Sequence, residues 1–288
     1  FTQGLAFICE ALRALGHRGV AVEDPCLPLH RKIVENAGLG AMPVPVDEHG
    51  LRTEELDKQP IKCVLLTPAH QFPSGAVLAP GRRARLIDWA RRRDALIIED
   101  DYDAEYRYDR GPVGALQGLA PERIIYGGSA SKTLAPALRL GWFLVPKEIL
   151  APMLERKALS GGPSPLLQEL TFAEFILSGE YHRHLRRMRR RYRDRRDAMI
   201  DALSRYIPNA SLRGVSAGLH VLAELPSGLD DCRLAIAAYE RGVSVHPLSW
   251  HQAKPRPDLP GLVLGYASMS EANIDRGLYA LASAIDSA

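Results

Sequence analysis

The sequence predicts an α/β protein: a mostly parallel central sheet flanked by helices, followed by a smaller α+β lobe. Three observations carry this. Between residues 20 and 145, short and almost wholly apolar runs alternate with amphipathic stretches, which is how strands covered on both faces read. After Pro146 helical patterns dominate to about Tyr206, and short strand-like runs then alternate with two more helices. With 288 residues, 46% hydrophobic and 25% charged, the chain can bury a large core and has an ordinary composition. The expected division is a large lobe at 1–150, truncated on its N-terminal side, and connecting helices with a small C-terminal lobe at 151–288.

Taken in order, Phe1-Thr2-Gln3-Gly4-Leu5-Ala6-Phe7-Ile8 reads as a helix already under way. It has neither an initiator Met nor the features of a signal peptide, so a further segment is expected before it. Without that segment the chain is expected to be less stable. Val20-Ala21-Val22, Cys63-Val64-Leu65-Leu66, Ala95-Leu96-Ile97-Ile98, Ile124-Ile125-Tyr126 and Trp142-Phe143-Leu144-Val145 read as strands. A helix over 82–93 has an apolar stripe of Ala84, Leu86, Ile87 and Ala90. The helical region over 147–206 breaks near Gly161-Gly162-Pro163-Ser164-Pro165. Leu219-His220-Val221-Leu222, Val243-Ser244-Val245 and Leu262-Val263-Leu264 are the later strands, with helices at 231–241 and 271–284.

Several function classes recede on composition. No run approaches the roughly 18 to 20 apolar residues of a membrane span. Cys9, Cys26, Cys63 and Cys232 show no paired spacing, which argues against zinc or a disulfide framework and for a cytoplasmic setting. The net charge of +3 does not by itself indicate nucleic acid. One run stands apart: residues 183–196 hold nine arginines and one acid, with Tyr181, Leu185, Met188 and Tyr192 at helical spacing. It reads as a solvated helix face or as a contact surface for nucleic acid or an acidic domain. His182 and His184, two apart, fall on different helix faces, which disfavours a shared metal.

Two strand ends carry the chemistry. Ile98-Glu99-Asp100-Asp101-Tyr102-Asp103 closes one strand; Ser129-Ala130-Ser131-Lys132-Thr133 follows the next, with Arg139 seven residues beyond the lysine. Ligands of open α/β sheets bind beyond the carboxyl ends of the strands, so both clusters are expected at one edge. Together they offer an amine, a carboxylate, a phenol and a phosphate-binding fork, the four groups that pyridoxal 5'-phosphate requires. Lys132 would form the Schiff base, Asp100 would pair with the ring nitrogen, and Arg139, Ser129 and Ser131 would hold the phosphate. Two alternatives compete. The acids could bind magnesium, although no G-x-x-x-x-G-K-S/T loop accompanies them. Ser129-Ala130-Ser131-Lys132 also fits the S-x-x-K of serine hydrolases, although its companion motifs are absent.

Longer motifs then point to a family. Thr67-Pro68-Ala69-His70-Gln71-Phe72-Pro73-Ser74-Gly75, Glu99-Asp100-Asp101-Tyr102-Asp103-Ala104-Glu105-Tyr106-Arg107-Tyr108 and Ser131-Lys132-Thr133-Leu134-Ala135-Pro136-Ala137-Leu138-Arg139-Leu140-Gly141 resemble fold-type-I aminotransferases. Within these, they resemble the pyridoxal-phosphate domain of MocR-type regulators of the GntR family; Ala217-Gly218-Leu219-His220 and Leu264-Gly265-Tyr266-Ala267 match later signatures. The resemblance implies Lys132 as the Schiff-base lysine, Asp100 at the pyridine nitrogen and Tyr102 near the phenolate oxygen. It places Arg139, Ser129, Ser131 and Thr2 at the phosphate, and Leu27 and His70 among the cofactor contacts. It also implies a homodimer, a small amine or amino-acid-like effector, and DNA contact through a preceding winged-helix domain.

Three positions depart from the family pattern. Leu27 stands where relatives often carry a ring-stacking Tyr, and Phe72 where aminotransferases have Asn. The Arg that grips a substrate carboxylate falls near Val263, and Gly261-Leu262-Val263-Leu264-Gly265 contains none. Loss of a bidentate clamp weakens both binding and orientation of an amino acid. An effector domain is therefore the expected function. A free-standing aminotransferase, using Arg31 or Arg52 as a substitute clamp, and a cofactor-free interaction module are the alternatives.

Overall fold

Strands whose side chains are apolar on both faces have to be covered on both faces, and this requirement organises the large lobe. The computed structural model describes residues 1–108, 111, 113–161 and 164–285, so Gly162 and Pro163 of the expected helix break lie outside the described residues. In chain order the large lobe contains α1 (Thr2–Ala14), β1 (Gly19–Asp24), α2 (Pro28–Asn36), β2 (Gly40–Asp47), β3 (Gly50–Leu51), β4 (Cys63–Leu66), α3 (Pro80–Arg93), β5 (Leu96–Asp101), β6 (Ile124–Ser129) and β7 (Gly141–Leu144). The sheet order is β3-β2-β1-β4-β5-β6-β7. Its centre is parallel, and β3 and β7 are antiparallel at the edges.

Alternation along the strands sorts the core into two faces. Ala21, Val64, Leu66, Ile97 and Ile124 pack with Leu86, Ile87, Trp89 and Ala90 of α3. Val20, Val22, Leu65, Ile98 and Ile125 pack with Leu5, Ile8 and Leu12 of α1 and with Ile33 and Val34 of α2. Each buried aliphatic side chain contributes about 1.5–3 kcal/mol, and these layers fix where the strand ends project. Trp89 completes the α3 stripe, whereas Ala84 is exposed.

Short strands at 50–51 and 211–213 were not expected, and two larger differences from the sequence reading have clear causes. β2 was not expected, because Pro43 and Pro45 interrupt its pattern. It is tolerated because β2 pairs with β1 along its whole length but with β3 only at Val46 and Asp47, so the prolines sit where the outer edge is open. Conversely, residues 243–245 are not a strand. Val243 N–H donates to Ala238 O and closes the preceding helix, and the strand begins only at His246.

The rest of the chain forms α4 (Lys147–Leu159), α5 (Leu166–Leu177), α6 (Glu180–Tyr206), β8 (Ser211–Arg213), β9 (His220–Glu224), α7 (Asp231–Glu240), β10 (His246–Pro247), β11 (Gly261–Gly265) and α8 (Glu271–Ile285). A four-stranded antiparallel sheet of order β10-β11-β9-β8 packs on α6, α7 and α8 through Met199, Leu203, Val221, Leu262, Leu264 and Leu278. The two lobes meet at Gly218. Its N–H donates to Tyr106 O, its carbonyl accepts from the Tyr108 and Tyr266 hydroxyls, and its φ of +82° favours glycine. A Cβ there would collide with the His70 ring. Among the described residues no helix is long and apolar enough to cross a membrane.

Candidate functional site

The strand order reverses between the parallel neighbours β1 and β4, the usual location of a ligand crevice in open α/β sheets. Side chains from the carboxyl ends of β1, β4, β5 and β6 converge there.

The crowded acids after Ile98 separate by alternation. Glu99 and Asp101 turn away from the crevice: Glu99 accepts from the Leu116 and Gln117 N–H groups at 2.9 and 3.0 Å, and Asp101 from the Tyr126 hydroxyl at 2.8 Å. Burial pushes Glu99 up to about 7 and Asp101 up to about 6, so both hold protons more readily than exposed acids and their mutual repulsion is relieved. Asp100 faces α2, where His30 Nε2 lies 3.2 Å from one carboxylate oxygen, both residues being buried. Among the described residues these acids form no three-membered metal-binding group.

Tyr102 and Asp103 meet His70 from the loop after β4. His70 Nδ1 lies 2.8 Å from Asp103 Oδ2 and 3.1 Å from the Tyr102 hydroxyl. Burial, with the Asp103 and Asp100 charges, raises Tyr102 well above the usual tyrosine range, so its phenol stays protonated and donates. His70 therefore stands behind Tyr102 and orients it.

Lys132 and its neighbours lie on the hairpin between β6 and β7. Ser129 pairs with Gly141, and Ala130 N–H donates to Leu140 O at 3.0 Å, which closes the hairpin base. The loop is pinned from behind: the Thr133 carbonyl accepts from His184 Nε2 at 2.8 Å and from the fully buried Tyr106 at 3.3 Å. Lys132 is exposed and, like Ser129, Ser131 and Arg139, has no side-chain hydrogen bond or ion pair among the described residues. Arg139 has a left-handed φ of 55°, which costs a non-glycine residue about 1–2 kcal/mol.

Opposite Gly141 stands the start of α1. A Cβ on Gly141 would come within 2.9 Å of the Phe1 main-chain nitrogen, so the glycine leaves a cradle between Ser129 and the helix start. Half-buried Thr2 lies in the first described turn of α1. The Thr2, Ser129 and Ser131 hydroxyls and the Arg139 guanidinium suit a phosphate. Together with Lys132, Asp100 and Tyr102, they fit the complete group expected from the sequence.

Among the described residues the remaining wall is apolar, and the two arginines expected as substitute clamps are engaged elsewhere. Val263 is 8% exposed and packs with Leu222, Leu248 and Phe72. The Phe72 ring lies 6.2 Å from the Tyr102 ring, 4.8 Å from His220 and 5.3 Å from His251. Arg31 is committed elsewhere: its guanidinium donates to the carbonyls of Trp250, His251 and Gln252 and to Cys26 Sγ. Arg52 pairs with Glu54 and Glu55. Neither of the expected substitute clamps is free. Leu27, half-buried, caps α2 beside this wall.

Burial lowers the two wall histidines, His220 to about 3 and His251 to about 4, so both are neutral at physiological pH. In an unfolded chain each would protonate near 6.5, so His220 adds stability above that value and loses it as pH falls toward 3. Buried carboxyls raised to about 7, Glu23 and Glu99, act in the opposite direction over about 4.5 to 7. Comparison with a variant isolates the histidine. Urea midpoints at pH 7 and 5 are expected to fall further for the wild type than for His220→Gln; equal losses would show that His220 carries no such penalty.

His30 was not singled out from the sequence, although helical spacing places it on the face of α2 that includes the buried Ile33 and Val34. Glu23 was also missed: it accepts from Thr67 N–H and Oγ1 at 3.0 and 2.7 Å and so holds the loop that carries His70.

Fold and site define an aminotransferase-like α/β domain. The chain matches the family model "Aminotransferase class I and II" over residues 1–281 and belongs to that family. It is 35% identical over 282 residues to the HTH-type transcriptional regulator YdeL of Bacillus subtilis, covering 97% of this chain and 60% of that protein. It is 36% identical to the probable rhizopine catabolism regulatory protein MocR of Rhizobium meliloti, covering 86% of this chain and 51% of that one. It thus spans roughly half to three-fifths of these regulators. Among solved structures it resembles LysN, an alpha-aminoadipate aminotransferase of Thermus thermophilus complexed with N-(5'-phosphopyridoxyl)-L-leucine. There the TM-score is 0.89 and the identity 26%, over 99% of this chain and 75% of that one. Membership of this family indicates pyridoxal phosphate as the cofactor.

Proposed function

We propose that the chain is the effector-sensing domain of a MocR-type transcription regulator and that its ligand is an amine without a carboxylate. The observation that carries this reading is the apolar wall seen among the described residues: Val263 packed against Phe72, Leu222 and Leu248, with Arg31 bound to backbone carbonyls. An amino acid turned over at this site would leave its carboxylate facing apolar side chains and neutral imidazoles, at a cost of several kcal/mol. The similarity to regulators over 86% to 97% of the chain supports the same reading.

Bound pyridoxal phosphate would supply an aldehyde for the amine and an electron-withdrawing ring. Lys132 would supply the amine that holds the cofactor's aldehyde. Asp100, steadied by His30, would pair with the ring nitrogen. Tyr102 would donate to the ring oxygen, kept aimed by His70. Thr2, Ser129, Ser131 and Arg139 would hold the phosphate, and Leu27 would cover the ring by apolar contact. Occupancy would bias the arrangement of the two lobes across Gly218 by as much as the ligand's affinities for the two arrangements differ.

The test uses Val263→Arg. The wild type is expected to give no measurable turnover of amino-acid and keto-acid pairs and to respond spectroscopically to an aryl-alkyl amine. The variant should gain affinity for α-amino acids by about tenfold or more, the scale of one charge-assisted pair. Efficient wild-type transamination would replace the sensor reading with the enzyme reading.

A further inference from the structure

Helix α6 contains a charge concentration that the site does not use. Ten arginines stand against four carboxylates over Glu180–Tyr206, a net +6, so the rest of this +3 chain sums to −3. Tyr181, Tyr192 and Met199 are buried on the helix's inner face, and Arg183, Arg186, Arg187, Arg190 and Arg191 are all exposed on the outer one. Those five span about 12 Å of helix. Arg183 pairs with Glu180, whereas Arg186, Arg190 and Arg191 have no ion pair or hydrogen bond among the described residues. The neighbouring Arg189 and Arg193 donate to the Glu105 and Tyr108 carbonyls, and Arg189 also faces the Glu105 carboxyl. Asp194, Asp197 and Asp201 then end the basic stretch on the same helix.

We infer that this face of α6 binds the phosphate backbone of duplex DNA, so that the aminotransferase-like domain itself contacts the nucleic acid. Uncompensated like charges repel and destabilise the folded chain, and a polyanion reverses that penalty. Guanidinium forks match phosphate oxygens, and 12 Å of straight helix runs past roughly three or four phosphates of one strand. Other polyanionic partners fit less well. Single-stranded RNA calls for exposed aromatic platforms between the cations, and Tyr181 and Tyr192 are buried. A lipid surface calls for apolar side chains to insert, and the helix's own point into the core. The choice of DNA as partner rests on the regulator reading, but the measurement does not depend on the cofactor.

The experiment compares the 288-residue chain with an Arg186→Gln/Arg190→Gln/Arg191→Gln variant, using a short random-sequence duplex over a salt series. The wild type should bind with a steep salt dependence. The variant should lose about 0.9 in log–log slope per lost contact, between 2 and 3 in all, with at least about tenfold weaker binding at low salt. Identical slopes, no wild-type binding, or tighter binding to single-stranded RNA or polyglutamate than to duplex would each overturn the assignment. Retained far-ultraviolet dichroism and thermal midpoint show that the variant is folded. A chain that binds duplex but takes up no pyridoxal phosphate would refute the sensor proposal and leave this one standing.

Discussion

Lys132→Ala is expected to stay colourless when incubated with pyridoxal phosphate and to lose the cofactor on gel filtration, whereas the wild-type chain turns yellow and retains it. The amine is the one group at the site that can bond covalently to an aldehyde; the phosphate and ring contacts hold the cofactor only reversibly. The substitution is clean because Lys132 is exposed and unpartnered, while its loop is fixed through the Thr133 carbonyl by His184 and Tyr106. Thermal stability of the apo chain should therefore change by no more than about 0.5 kcal/mol. Lys132→Arg should behave like the alanine variant, since it keeps the charge but supplies no nucleophilic amine. Borohydride-stable labelling of either variant would show that another lysine carries the cofactor, and the assignment would fail. A wild type that itself stays colourless would favour the cofactor-free module.

Much of the site was legible because its residues lie in contiguous motifs at strand ends. Asp100 and Tyr102 lie within four residues of a four-residue apolar run, and Lys132 and Arg139 share one hairpin, so strand rules alone bring them to one edge. What stayed illegible depends on tertiary register. His30 reaches Asp100 only because α2 turns that face inward, and Glu23 serves a loop 44 residues away. The commitment of Arg31 to carbonyls 219 to 221 residues distant has no local signature. The prolines of β2 misled for a related reason: whether a strand edge is open is a property of the sheet, and a single segment does not record it. The basic stretch of α6 was plain in the sequence. Its exposure, and the scarcity of carboxylate partners, required the fold.

Asp100→Ala tests the electrostatic half of the site, and its expected effect is the larger in free energy. The carboxylate is 6% exposed and held by His30 at 3.2 Å, so the ring nitrogen of a bound cofactor would meet a fixed, desolvated acceptor. Truncating one partner of such a buried pair costs about 2–5 kcal/mol, or roughly 30- to 5000-fold in cofactor affinity. Asp100→Asn preserves shape but supplies no negative charge, so it should fall close to alanine. His30→Ala, which removes only the hydrogen bond that orients the carboxylate, should cost nearer 0.5–1.5 kcal/mol. The apo chain should tolerate Asp100→Ala, because the change also relieves repulsion with Asp101. Affinity and stability are thus expected to separate, with cofactor titration showing a large loss and urea unfolding little. If all three variants bound the cofactor as tightly as the wild type, the ring would not be seated on β5, and the orientation derived from Tyr102 and His70 would fall with it.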